Sequence, residues 1–206
     1  MSALIHPTRK IDLELSDEEV AARIGEEYRM AVSEMTNEIE NAAAMLLAKN
    51  DLLFDRMAEE ITVYDTPDDP YNSYDEMCDD IHDNNTMGVF SGGSTAPYMG
   101  STRTTAQAAT VVHRAVHDYY GHYMHGVDFS LEGEFSKWHH MKKYYAEPVH
   151  QLTFTDVVGQ LAFAMQLDGG FNNPDFEQKA MLAPQHWIDW CYDYVEIVGA
   201  DLPMQL

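Results

Sequence analysis

The sequence predicts an all-α fold, a single domain over 1–206 built from about seven helices, with one long irregular loop at about 84–103 and an extended N-terminal arm over 1–15. Three observations predict it. Apolar residues recur at steps of three and four through most of the chain, capping and breaking residues punctuate those stretches, and strand-like pieces number no more than one or two, without internal repeats. At 206 residues, 45% apolar and 11% aromatic, the chain is long enough to bury one core without covalent staples.

Ser16-Asp17-Glu18-Glu19 reads as a capping box. Val20, Ile24, Tyr28, Val32, Met35, Ile39, Ala43 and Leu46 then follow the helical period, which predicts one long amphipathic helix over roughly 17–49. Asn50-Asp51 reads as a break and a new N-cap, with Leu52, Leu53, Met57 and Ile61 supporting a second, shorter helix. From Asp65 to Asp83 there are eight acids and no base, with Pro67 and Pro70 at the front. This is a loop leading into a short helix around Tyr74–His82, and without DxDxDG-type spacing it reads as a solvated acidic face. The irregular stretch that follows contains Gly92-Gly93 and Ala96-Pro97 and leads into the histidine-rich region.

Thr104 or Thr105 can cap a helix running to about Gly121–Gly126, and Leu131 to Ala146 supplies another. Pro148 suits a first helical turn, opening a helix that ends at Asp168-Gly169-Gly170. Pro174 and Pro184 open two last helices, and the stripe Trp187, Trp190 and Tyr194 reads as core.

The formal charge is −23, with 22 acids against 6 bases in residues 1–85 and 13 against 6 in the rest. Such a field repels nucleic-acid backbone and anionic membranes alike, so neither is an expected partner. The acidic N-terminal part suits, at most, a basic protein partner. Cys78 and Cys191 form neither a CxxC pattern nor a disulfide framework. The longest apolar run, Ala42 to Ala48, is too short to span a bilayer, and Met1 to Lys10 carries no secretory apolar stretch, so the expected location is the cytoplasm.

Seven of the ten histidines (113, 117, 122, 125, 139, 140 and 150) lie between 113 and 150. Histidine is the commonest metal ligand, and this clustering points to a site rather than to isolated core imidazoles. His113 and His117 share a helix face, whereas His117 and His122 stand about 140° apart on an ideal helix. Both can meet one ion only if the helix ends or bulges at Gly121.

His117-Asp118-Tyr119-Tyr120-Gly121-His122 resembles the iron-ligand segment of the aromatic amino acid hydroxylases, a mainly helical family. The resemblance implies two histidine ligands to a non-haem Fe(II) and a downstream carboxylate that completes a facial triad. Beyond these six residues it extends only loosely, to Thr155-Asp156-Val157-Val158-Gly159-Gln160, so neither pterin nor an aromatic amino acid substrate is carried over. The wider pattern, Arg114-Ala115-Val116-His117-Asp118 through Gly133-Glu134 to Gly159-Gln160, is similar to uncharacterised bacteriophage proteins, which would make the compartment the host cytoplasm.

The expected site is therefore a mononuclear divalent-metal centre, Fe(II) preferred and Mn or Zn possible, acting on a small-molecule substrate as an oxidoreductase. Its ligands are His117, His122 and a carboxylate. Asp156 is the first choice, because a lone charge on an apolar helix must be paired or metal-bound, and Glu134 and Glu147 are the others. Asp118 and Glu134 are candidate acid–base groups.

Three rivals stay open. An HD-type phosphohydrolase would use His117-Asp118 with His82 or His113 and Asp156, and Arg114, Lys137, Lys142 and Lys143 for phosphate. A di-metal bundle would use Glu147-Pro148-Val149-His150 and Asp79-Asp80-Ile81-His82. An acidic, DNA-mimic-like inhibitor would use its histidines only structurally.

Overall fold

A computed structural model describes residues 17–100 and 103–202. The expected N-terminal arm and the Ser16 cap lie outside the described residues. Those described form seven helical rods and a two-stranded sheet, an all-α architecture.

The first rod is shorter than its periodicity suggests. Helix α1 (Asp17–Met30) stops, and α2 (Asn37–Met57) starts afresh under a Thr36 cap whose side chain accepts from the Ile39 amide. The break falls at 31–36, not at Asn50-Asp51. Its cause is distant in sequence: the Lys179 ammonium donates to the Arg29 and Ala31 carbonyls, and the Ala180 amide donates to Ser33 Oγ. The carbonyls that the next helical turn would use are thereby taken. Val32 and Met35, in step with the apolar face, are accordingly exposed. Asn50 caps nothing; it is wholly buried inside α2.

Strand β1 (Thr62–Thr66), helix α3 (Tyr74–Asn84) and strand β2 (Thr86–Phe90) form a small parallel unit, with Thr62 opposite Thr86 and Thr66 opposite Phe90. Ser73 caps α3, and Asn85 closes it in the left-handed conformation, which Asn tolerates better than most residues. The strand β2 occupies the front of the stretch expected to be irregular. Part of the acidic run is structural: Asp80 accepts from Tyr71 Oη, Asn84 and Thr86.

Helix α4 (Arg103–Val116) begins one residue before its expected caps and passes without a break into a π-helical segment, His117–Tyr123. Helix α5 (Leu131–Met141) follows, capped by Ser130. Helix α6 (Glu147–Phe154) continues through a second π segment, Thr155–Gly159, into α7 (Gln160–Ala164). No helix follows Pro174: residues 177–184 are irregular, held against the 31–36 break by Lys179 and Ala180. Pro184 does open α8 (Gln185–Tyr194). Trp187 is buried in the core there, with Trp190 and Tyr194 packed against it.

Helix α2 packs on α4 and α6, α1 on α7 and α8, and α5 on both π segments. Three apolar clusters result. One joins α1, α5, α6, α7 and α8; one joins the end of α2, α3, both strands and the first π segment; one joins α2, α4, α6 and residues 96–99. Histidine-bearing α4 and carboxylate-bearing α5 meet where the first two adjoin. Among the described residues no helix is long and apolar enough to cross a membrane.

Candidate metal centre

The π segment decides the geometry. Its i→i+5 hydrogen bonds, such as Met124 N to Tyr119 O at 3.0 Å, widen the turn so that residues five apart come onto one face. His117 Nε2 and His122 Nε2 are consequently 2.9 Å apart. Of the two possibilities at Gly121, a helix end or a bulge, the bulge is present, and Gly121 serves a second purpose. A Cβ there would lie 2.4 Å from Cγ and Cδ of Lys137, so glycine is what lets the lysine stem pass.

Glu134, in the first turn of α5, completes the group. Its Oε1 is 3.3 Å from Nε2 of both histidines. Gly133 allows this placement, because a Cβ there would meet the Asp128 carbonyl at 2.1 Å. Ligand atoms of His117, His122 and Glu134 all lie within 4.8 Å of one another, and they form the one such group of three found among the described residues. All three are well covered, with side-chain exposures of 18%, 0% and 11%.

The donors suit a divalent cation. Burial and the Lys137 ammonium push His117 down to about 3, leaving a neutral imidazole near neutral pH. Burial alone would raise Glu134, but Lys137 and the two histidines hold it well below the usual carboxylate range, so it stays ionised. His122 Nδ1 donates to the Val127 carbonyl at 3.0 Å, which fixes the tautomer and leaves Nε2 with its lone pair turned to the cluster. Glu134 Oε2 is buried without a hydrogen bond, although Lys137 Nζ is 3.3 Å away. Glu134 Oε1 beside two imidazole nitrogens is a set of hard and borderline donors that suits a divalent cation.

Asp156 does not join this group. Its Oδ2 meets His113 Nε2 at 2.6 Å, and its Oδ1 accepts from Tyr98 Oη and Gln160 Nε2, each at 2.7 Å. Its burial would raise the carboxyl, yet the charge and hydrogen bond of His113, with that of Tyr98, hold it down to about 2. The Asn50 side-chain amide then lies 2.9 Å from His113 Nδ1, and its Oδ1 accepts from Tyr145 Oη at 2.8 Å. The expensive buried charge is thus paired with protein groups rather than offered as a ligand. The sequence reasoning missed Asn50, Tyr98 and Tyr145. For Asn50 a signal existed, a polar side chain in step with Leu46, Leu53 and Met57.

Asp118 lies beside the group, Oδ1 being 3.9 Å from His117 Nε2. Burial raises its carboxyl to about 6. It also lines a cavity of about 310 Å3, whose wall includes Phe129, and the Phe129 ring stands edge-on to His122 at 4.7 Å between centroids.

The remaining histidines serve elsewhere. His125 Nδ1 and His140 Nε2 bind the carbonyls of Ala200 and Val198, His139 binds Tyr192 Oη, and His150 binds the Lys142 and Tyr145 carbonyls. His82 is exposed beside Asp83, and Glu147 is exposed at the start of α6. Of the four bases considered for phosphate, Lys137 alone reaches the cluster. Arg114 donates to the Phe90 and Gly92 carbonyls, Lys142 to Tyr192, and Lys143 to the Leu202 carbonyl. Comparison with protein-family models, with curated proteins and with solved structures returns no match.

Proposed function

We propose that this chain is a mononuclear metal-dependent enzyme, an oxidoreductase that uses non-haem Fe(II), with Mn and Zn as the alternatives, held by His117 Nε2, His122 Nε2 and Glu134. The observation that carries this reading is the convergence of ligand atoms from two imidazoles and one carboxylate within 4.8 Å of one another. A bound divalent ion with two histidines and one carboxylate keeps positions open for substrate and O₂ and acts there as a Lewis acid or redox centre. The protein's own groups do the rest. Glu134 offsets part of the ion's charge, and Val127 O keeps the His122 ring in register. Asp118, at the wall of the cavity, is placed to accept or return a proton at its carboxylate. His113 and Asp156 brace the end of α4 that leads into the π segment and His117, whose ring centroid is 6.4 Å from that of His113.

Metal analysis of protein purified without chelator tests the reading. Wild type is expected to hold about one equivalent, and His117→Ala, His122→Ala and Glu134→Ala each to lose at least ten-fold in affinity, the scale of a deleted ligand partner or more. Asp156→Ala is expected to retain the metal. Wild-type protein that takes up no divalent ion, or loss confined to Asp156→Ala, would overturn it. Substrate-dependent O₂ uptake by the Fe(II) form separates the oxidoreductase from a phosphohydrolase, which would release phosphate from nucleotides instead.

A further inference from the structure

The cavity beside Asp118 has a composition that selects its occupant. Asp69 and Asp118 line it, together with Tyr71, Met77, Phe90 and Phe129, and no Lys, Arg or His is among the lining residues. Arg114 stands behind this wall: its guanidinium sits 5.0 Å over the Phe90 ring and donates to backbone carbonyls, and its charge is felt by Asp69 and Asp118. Tyr71 Oη is engaged too, donating to Asp80 and accepting from the Gly88 amide. Two carboxylates are therefore the charged groups that face the space. The apolar surface is equally specific. Phe129 is 39% exposed, with Tyr74 at one edge and His122 at another, an aromatic ring left open where the cavity meets the metal group. Six of its nine lining residues come from the acidic run 65–83 of a chain of charge −23, a field that raises the local concentration of cations and repels anions.

We propose that this cavity takes a small organic cation, an amine or ammonium compound with an apolar body and no acid group, as the substrate of the adjoining metal centre. The ammonium group lies toward Asp69 and Asp118 and the apolar body against Phe129 and Met77, where an aromatic face adds a cation–π contribution. An acid-bearing molecule such as an amino acid is disfavoured, because nothing in the wall neutralises its carboxylate. A cavity of about 310 Å3 is at the small end of the range for organic ligands, which limits the occupant to one ring or a short chain.

The proposal rests on the metal reading for its reaction but not for its binding, and the test separates the two. Benzylamine, benzyl alcohol and benzoate, matched in shape and differing in charge, are titrated by calorimetry and ligand-observed NMR into the full chain, with metal content measured on the same samples. Benzylamine is expected to bind at least about tenfold more tightly than benzyl alcohol, and benzoate not detectably. The preference should shrink as salt is raised. Asp69→Asn should remove most of that preference while leaving benzyl alcohol unchanged. Phe129→Ala should weaken both, and circular dichroism checks that each variant is folded. Benzoate or benzyl alcohol binding as well as benzylamine, no benzylamine binding at millimolar concentration, or an unchanged preference in folded Asp69→Asn would overturn the proposal. If the cation preference appears in protein that takes up no metal, the metal reading fails and the cavity stands as a cation-binding site alone. If metal binds at one equivalent and no cation preference appears, the reverse holds.

Discussion

Gly121 is the residue on which the candidate centre turns, because two requirements meet at one Cα. The π turn must pass it, and the Lys137 stem must lie against it, with no room for a methyl group at 2.4 Å from two of its carbons. Lys137 cannot simply step aside, since its side chain is 5% exposed and its Nζ is 2.8 Å from His117 Nδ1. Gly121→Ala is therefore expected to push α5 and Glu134 away from the histidines, costing about 1–3 kcal/mol in urea-unfolding stability and lowering metal affinity. Shortening the lysine should relieve the clash, so Gly121→Ala with Lys137→Ala is expected to be less destabilised than the two single changes summed. Additive losses would show that this contact is not the reason for glycine. At this scale the sequence was partly legible. The spacing His117–His122 and the intervening glycine announced a helix end or a bulge. The carboxylate was harder to read: the argument that a lone acid on an apolar helix needs a partner describes Asp156 well, but its partners, His113 and Tyr98, are 43 and 58 positions away. Glu134 gave a weaker signal, because a carboxylate in the first turn of a helix has an ordinary explanation in the helix dipole.

Elements show where pattern reasoning stops. Helical periodicity ran through Val32 and Met35, yet the rod ends before them, since Lys179 from a distant loop caps it. Short parallel strands were also hard to foresee, their pairing being non-local and five residues long. The segment after α8 depends on histidines in a way that yields a prediction. His125 and His140 stack at 4.5 Å, both buried, and their outer nitrogens hold the carbonyls of Ala200 and Val198. His125 Nε2 and His140 Nδ1 have no hydrogen-bond partner. Burial lowers His125 below the ordinary imidazole value of about 6.5. Beside the pair stand His139, Lys143 and the exposed Asp201, whose carboxylate is 4.0 Å from His140 Nδ1. A histidine kept neutral by folding adds stability above its unfolded value and loses it as pH falls toward the folded one. Docking of 198–202 is thus expected to weaken as pH falls below about 6.5. Hydrogen exchange at the Ala200 amide, which donates to the His125 carbonyl, measures this after correction for the intrinsic rate. Protection that does not change with pH would refute the latch.

Across the whole molecule, the polar network around Asp156 fastens the helices that the apolar clusters bring together. Asn50 belongs to α2, His113 to α4, Asp156 to the second π segment and Gln160 to α7, while Tyr98 comes from the loop after β2 and Tyr145 from the turn before α6. A network of this kind rewards complete satisfaction and penalises loss of one member. Asp156, held down to about 2 against an ordinary 3.8, is a depressed carboxyl, so its contribution is present above about pH 4 and disappears as pH falls toward 2. The shift corresponds to a contribution on the order of 2 kcal/mol. Asp156→Asn keeps the shape and removes the charge, so at neutral pH it is expected to lower the unfolding free energy measured in urea by an amount of that size. Between pH 5 and pH 3 wild type should lose stability more steeply than Asp156→Asn, and the two curves should converge. The other 34 acids titrate in both proteins and cancel in the difference, which isolates Asp156 from the general acid response of a chain this negative. Curves that stay parallel through that range would mean that the carboxylate is not stabilised by its partners. Its pairing with His113 would then not explain why it stands apart from the candidate metal group.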